Sequence, residues 1–143
     1  MIGKAGNSYL LDTNIVVAYL NSEPIIAQKI SQLQSQNGTL SVSSTILGEL
    51  YFGAYKSGRV SENVARVQHF ANSFHWFACD QQTSELYGLI KTVLSSKGKP
   101  IPENDIWIAA TARQHGLILV TRDEHFQQVD QLASEKWGPK DSL

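Results

Sequence analysis

Only one cysteine, Cys79, stands in the 143 residues, so no disulfide can close within the chain, and a reducing compartment suits it. Neither sign of charge is in surplus. Twelve Lys and Arg face 13 Asp and Glu, a formal net charge of -1. The strong global field of many nucleic-acid and membrane binders is therefore missing, and a polyanion would have to be held by a local basic patch or through a metal. No run approaches the ~18 apolar residues of a membrane span. Met1–Ser8 lacks a long apolar stretch, so no leader peptide is expected, and the chain is placed in the cytoplasm with no membrane partner. There is no internal repeat, no low-complexity segment and no Gly-rich phosphate fingerprint of a dinucleotide fold. No His-Cys set has zinc spacing. His69, His75, His115 and His125 are scattered and read as surface or packing residues.

What is present is an ordinary globular composition, 42% hydrophobic and 17% charged, in a length that suits one domain, 1–143, with a core over about 8–137. Four short apolar runs read as strands: residues 8–12, "TLSVS" at 39–43, "WFACD" at 76–80 and "LILVT" at 117–121. Helical spacing lies between them. Ile15–Leu20 starts a helix with Asn14 as its cap, and Pro24 opens a second that runs to about Gln34. Ser43 or Ser44 caps a third, to about Lys56, before Gly58. Asn63–Phe74, Gln81–Ser96 and Glu103 to the Gly116 stop complete the set. Near-continuous apolar strands alternating with helices predict a parallel sheet covered on both faces, an α/β fold.

The acidic residues fall at telling places. In an open parallel sheet, ligands gather beyond the carboxyl ends of the strands. Asp12 ends the first strand, and Asp123 lies two residues past the fourth. Asp105 sits near a helix start, and Glu49 lies beside the apolar stripe of "STILGELYFGAYK". Taken singly, each has an ordinary reading: a cap, a helix-terminal charge, a turn residue, a solvated helix position. Taken together, two strand ends and two helices aim carboxylates at one place. Like charges so close repel and raise each other's pKa, and a divalent cation relieves that. Oxygen donors suit Mg²⁺ or Mn²⁺.

"LLDTNI", the Glu of "STILGELYFGA", "NDIWIAA" and "LVTRDEHF" stand in the order and spacing of the PIN domain. The chain most resembles the VapC-type ribonuclease toxins of prokaryotic toxin–antitoxin pairs, over about Tyr9 to Trp137. The resemblance implies a three-layer α/β/α fold with a central parallel sheet. It implies Mg²⁺- or Mn²⁺-dependent cleavage of RNA, a homodimer and a cognate antitoxin protein. Position by position, the family's acids fall on Asp12, Glu49, Asp105 and Asp123, with Thr121 and Asn14 as supporting donors. Asp12 and Asp105 are the expected direct metal ligands, and Glu49 orients water or ligates through it. Lys97, Lys99 and Arg122 are candidate RNA phosphate contacts, as are Lys56 and Arg59. An exposed subset of Tyr51, Phe52, Tyr55 and Trp107 is a candidate for the groove that takes an antitoxin helix.

Other readings compete. A phosphatase with a nucleophilic Asp also opens on a strand ending in Asp, but it needs a second acid two residues on, where this chain has Asn14. A non-toxin PIN nuclease of RNA processing uses the same four acids. A PIN-like module that binds without cutting would have lost some of them. DNA-directed members of the wider superfamily carry extra helices for which 143 residues leave no room.

Overall fold

The computed structural model describes residues 7–138. The expectation about a leader in Met1–Ser8 falls, apart from residues 7 and 8, outside them. Five strands, β1 (Ser8–Leu11), β2 (Thr39–Ser43), β3 (His75–Phe77), β4 (Ile118–Thr121) and β5 (Ser134–Lys136), form one all-parallel sheet in the order β3-β2-β1-β4-β5. Six helices flank it: α1 (Thr13–Leu20), α2 (Pro24–Ser35), α3 (Ser44–Tyr55), α4 (Val60–Ser73), α5 (Gln81–Ser96) and α6 (Glu103–His115). The result is the three-layer α/β/α arrangement.

Burial explains the composition of the central strands. Leu10 and Leu11 of β1, Val42 of β2 and Leu119 and Val120 of β4 are all fully buried. They are covered on both faces, and so their sequences are apolar without alternation. Helix α6 is buried nearly all round, from Ile106 through Ala112 apart from half-buried Trp107. Its Ala109, Ala110 and Ala112 let it lie close against its neighbours. Gly116, at φ 63°, ends it in the left-handed conformation that glycine takes without strain.

Several local expectations shift. Helix α1 begins at Thr13, capped by Asp12 rather than Asn14. The Asp12 carboxylate accepts from the Thr13 N–H at 2.8 Å, and its carbonyl accepts from Ile15 and Val16. Strand β3 covers His75–Phe77, not 76–80, because its partner β2 stops at Ser43, which caps α3. Asp80 leaves the strand and closes a reciprocal cap with Thr83 at the start of α5. Helix α4 starts at Val60, three residues earlier than its apolar spacing indicates. Strand β5, Ser-Glu-Lys, is fully exposed and polar; nothing in its pattern announces a strand. Among the described residues no helix is long and apolar enough to cross a membrane.

Candidate active site

The chain direction across the sheet reverses between β1 and β4: from β1 it steps outward to β2 and β3, then returns to β4 and β5. Where an open parallel sheet reverses in this way, a crevice opens beyond the carboxyl ends. β1 and β4 are paired through Leu11 and Val120, and the Asp12 N–H continues the ladder to the Val120 carbonyl at 2.9 Å. Asp12 and Asp123 therefore leave adjacent strands at that crevice.

Asp12 is 5% exposed. Its Oδ2 accepts from the Thr121 hydroxyl at 2.7 Å and its Oδ1 from the Thr13 N–H at 2.8 Å. Burial raises its pKa to about 6, against the lowering effect of those two hydrogen bonds and with added repulsion from Asp105 and Glu49. Asp105, in the first turn of α6, is 9% exposed. Burial pushes its pKa up as well; the His125 hydrogen bond opposes this, and the charges of Asp123 and Glu49 reinforce it. Asp105 and Glu49 thus bear on Asp12, and Asp123 and Glu49 on Asp105.

Glu49 on α3 is held at both oxygens. The Thr13 hydroxyl donates to one, and Asn104 Nδ2 donates to the other at 3.0 Å. Neither Thr13 nor Asn104 stood out in the sequence. Their partners lie 36 and 55 residues away, and only the packing of α1 and α6 beside α3 brings them together. Asp123 caps the short 3-10 helix Glu124–Gln128 through the His125 N–H at 2.9 Å, and its own N–H donates to the Thr121 hydroxyl. Asn14 reaches none of the acids. Its Oδ1 accepts from the Arg122 N–H at 3.4 Å, tying α1 to the turn after β4.

His125 is not a bystander at the surface or in packing. Its Nδ1 lies 3.1 Å from Asp105 Oδ2 and 3.0 Å from Asp123 Oδ1. Its position two residues after Asp123 was the available signal, since both leave the same strand end. One ligand atom each from Asp105, Asp123 and His125 lies within 4.8 Å of the others.

The basic candidates separate. Arg122 grips Glu23 and the Trp137 carbonyl, and Lys97 pairs with Asp130 at 2.8 Å. Lys56 lies over the Phe52 ring, and Arg59 pairs with Glu62. Lys99 is exposed on a hollow shared with His125, Glu124 and Gln128, with no ion pair among the described residues. No lysine or arginine among the described residues pairs with Asp12, Glu49, Asp105 or Asp123. A groove of about 260 Å³ leads from Glu49 between α1, α3 and α4, lined by Thr13, Val17, Leu50, Gly53 and Val67. Of the four aromatics flagged by sequence, Phe52 and Tyr55 are exposed, at 64% and 63%. Trp107 stacks on Tyr87 with centroids 4.2 Å apart.

The donor set fits a divalent cation. Its members are carboxylate oxygens, two of them largely removed from water and mutually repulsive, and among the described residues no lysine or arginine neutralises them. The fold and this centre define a doubly wound α/β protein with a carboxylate-rich, cation-accepting site at its switch point.

The PIN domain family model matches residues 9–132, and the chain belongs to that family. It is 38% identical over 130 residues to ribonuclease VapC2 of Haemophilus influenzae, covering 90% of this chain and 97% of that protein. It is 32% identical to the tRNA(fMet)-specific endonuclease VapC of Shigella flexneri, covering 91% and 98%. The crystal structure of VapBC2 from Rickettsia felis, bound to a DNA fragment from its promoter, superposes with a TM-score of 0.84 at 30% identity, covering 92% of this chain and 99% of that one.

Proposed function

We infer that this chain is a metal-dependent endoribonuclease of the cytoplasm and the toxin of a toxin–antitoxin pair. The observation that carries the reading is the convergence of Asp12, Glu49, Asp105 and Asp123 at the β1–β4 crevice. The names and assemblies of the similar VapC proteins support the substrate and the partner.

Asp12, Asp105 and Asp123 would hold Mg²⁺ or Mn²⁺. When bound, the ion lowers the pKa of a ligated water and draws charge from the phosphoryl oxygens. The protein's own groups do the positioning. Thr121 and the Thr13 N–H fix both oxygens of Asp12, so this ligand is set before substrate arrives. Asn104 and Thr13 each donate to one oxygen of Glu49, which leaves it lone pairs to accept a proton from, or align, the attacking water. Lys99 stands on the approach to the crevice as a phosphate contact for the RNA strand. Lys97 and Arg122 have intramolecular partners that RNA would have to displace. The groove leading to Glu49 and the exposed Phe52 and Tyr55 suit an apolar antitoxin segment. A homodimer is what the resemblance to VapC-type proteins implies.

The test is cleavage of RNA by purified protein in Mg²⁺, Mn²⁺ or chelator. Wild type should cut in either ion and not in chelator. Asp12→Asn and Asp105→Asn should not cut, with helical circular dichroism unchanged. Full activity in either variant contradicts the assignment.

A further inference from the structure

We propose that His125 is itself a metal ligand of this centre, its Nδ1 joining Asp105 and Asp123, and that the nitrogen turns the ion preference from Mg²⁺ toward Mn²⁺. The proposal rests on the metal-centre reading above and goes one step past it, to the nature of the ion.

The ring is placed by the fold rather than by chance. Phe126, 2% exposed, anchors the short helix Glu124–Gln128 in the core. The Asp123 carboxylate caps that helix through the His125 N–H. The imidazole then turns back onto the same carboxylate and onto Asp105 of α6. It reaches them at 3.0 and 3.1 Å from one nitrogen, Nδ1. Two donors adjacent on an octahedral ion with bonds of about 2.1 Å stand about 3 Å apart. The Nδ1 to carboxylate spacings are therefore those of neighbouring ligands about one ion. Without an ion the same spacings hold an Nδ1–H shared between the two carboxylates. The ring is half exposed, and Nε2 has no protein partner among the described residues. An ion that takes the place of the proton between Nδ1 and the carboxylates leaves that proton a site on Nε2, facing water.

An imidazole nitrogen among carboxylates is poorly suited to Mg²⁺, which favours oxygen and water. Mn²⁺ accepts both donor types in similar geometry. An all-oxygen centre would discriminate little between the two ions.

The experiment uses the full chain, free of any purification tag, with Mn²⁺ alone as the probe in a nitrogen-free buffer. Pulsed electron paramagnetic resonance of the Mn²⁺-loaded protein should show modulation from a directly bound ¹⁴N nucleus. His125→Ala should lose it. His125→Asn, which offers an oxygen near the same place, should also lose it while still binding Mn²⁺. Calorimetric titration should find Mn²⁺ affinity roughly tenfold weaker in both variants, with Mg²⁺ affinity changed much less. Bound Mn²⁺ without nitrogen modulation in wild type overturns the proposal and leaves the carboxylate centre standing. Modulation that survives in His125→Ala overturns it too. A failure of wild type to bind Mn²⁺ at all overturns both the proposal and the metal-centre reading beneath it.

Discussion

The Thr121 hydroxyl donates to Asp12 Oδ2 at 2.7 Å, joining residues 109 positions apart at the paired ends of β4 and β1. The same oxygen accepts from the Asp123 N–H at 2.9 Å. One hydroxyl thus fixes the first acid and the turn that carries the last. Thr121→Val keeps the shape and removes both bonds. A buried carboxylate then lacks a donor, which costs about 1–3 kcal/mol. The variant should melt several degrees lower and lose most RNA cleavage, whereas Thr121→Ser should retain both. Equal behaviour of the Val and Ser variants in melting and cleavage would show that the hydroxyl does neither job.

Asn104 and Thr13 hold the two oxygens of Glu49. Asn104→Ala removes one of the two donors from a charged acceptor, an interaction worth about 1.5–3 kcal/mol. Steady-state kinetics should show kcat falling roughly tenfold or more, with KM little changed, because Glu49 loses alignment and no RNA contact is removed. A rise in KM alone would mean that Asn104 serves binding instead.

Much of this was legible in the chain, for identifiable reasons. β1, β2 and β4 lie in the middle of the sheet, so Leu10, Val42 and Leu119 had to be apolar. Asp12, Glu49, Asp105 and Asp123 stood out because each interrupts or borders an apolar segment. β5 was invisible because an exposed edge strand has no buried face to imprint a pattern. Asn104 and Thr13 were invisible because ordinary polar residues acquire their role only when α1, α3 and α6 pack. His125 stands two residues after Asp123, but its role needs Asp105 as well, which only the packing of α6 brings beside it.

Growth offers a cellular check. Expression of wild type alone should arrest a bacterial culture, and Asp12→Asn should relieve the arrest at equal soluble protein. Unimpeded growth with wild type, in several hosts and with expression verified, contradicts the toxin role.

The metal-free protein should show an unusual pH slope. Asp12 has a pKa of about 6 when folded, above its ordinary 3.8. Between those values the folded state holds a proton that the unfolded chain has released. Its contribution to stability is complete below about pH 4 and is lost as pH rises through about 6. At about 1.4 kcal/mol per pH unit, the upper bound is about 3 kcal/mol. In chelator, the melting temperature of wild type relative to Asp12→Asn should therefore fall between about pH 4 and 6.5 and level off above. A difference that is flat with pH, or that grows in favour of wild type, refutes the buried charge at Asp12.

The four acids and their ion are tested together most directly by melting wild type, Asp12→Asn and Asp105→Asn in chelator and in excess Mn²⁺, at pH 7.5 and constant ionic strength. Constant ionic strength matters because added salt screens repulsion without binding. In chelator each amide variant should melt higher than wild type, since one repelling charge is gone; 1 kcal/mol corresponds to roughly 2–4 °C near this size. In Mn²⁺ the order should reverse. Wild type gains about 2.7 kcal/mol at a hundredfold excess over the dissociation constant, and the variants gain much less. Variants that melt lower in chelator and respond to Mn²⁺ as wild type does would contradict a shared metal centre and leave the four residues as separate caps and surface charges.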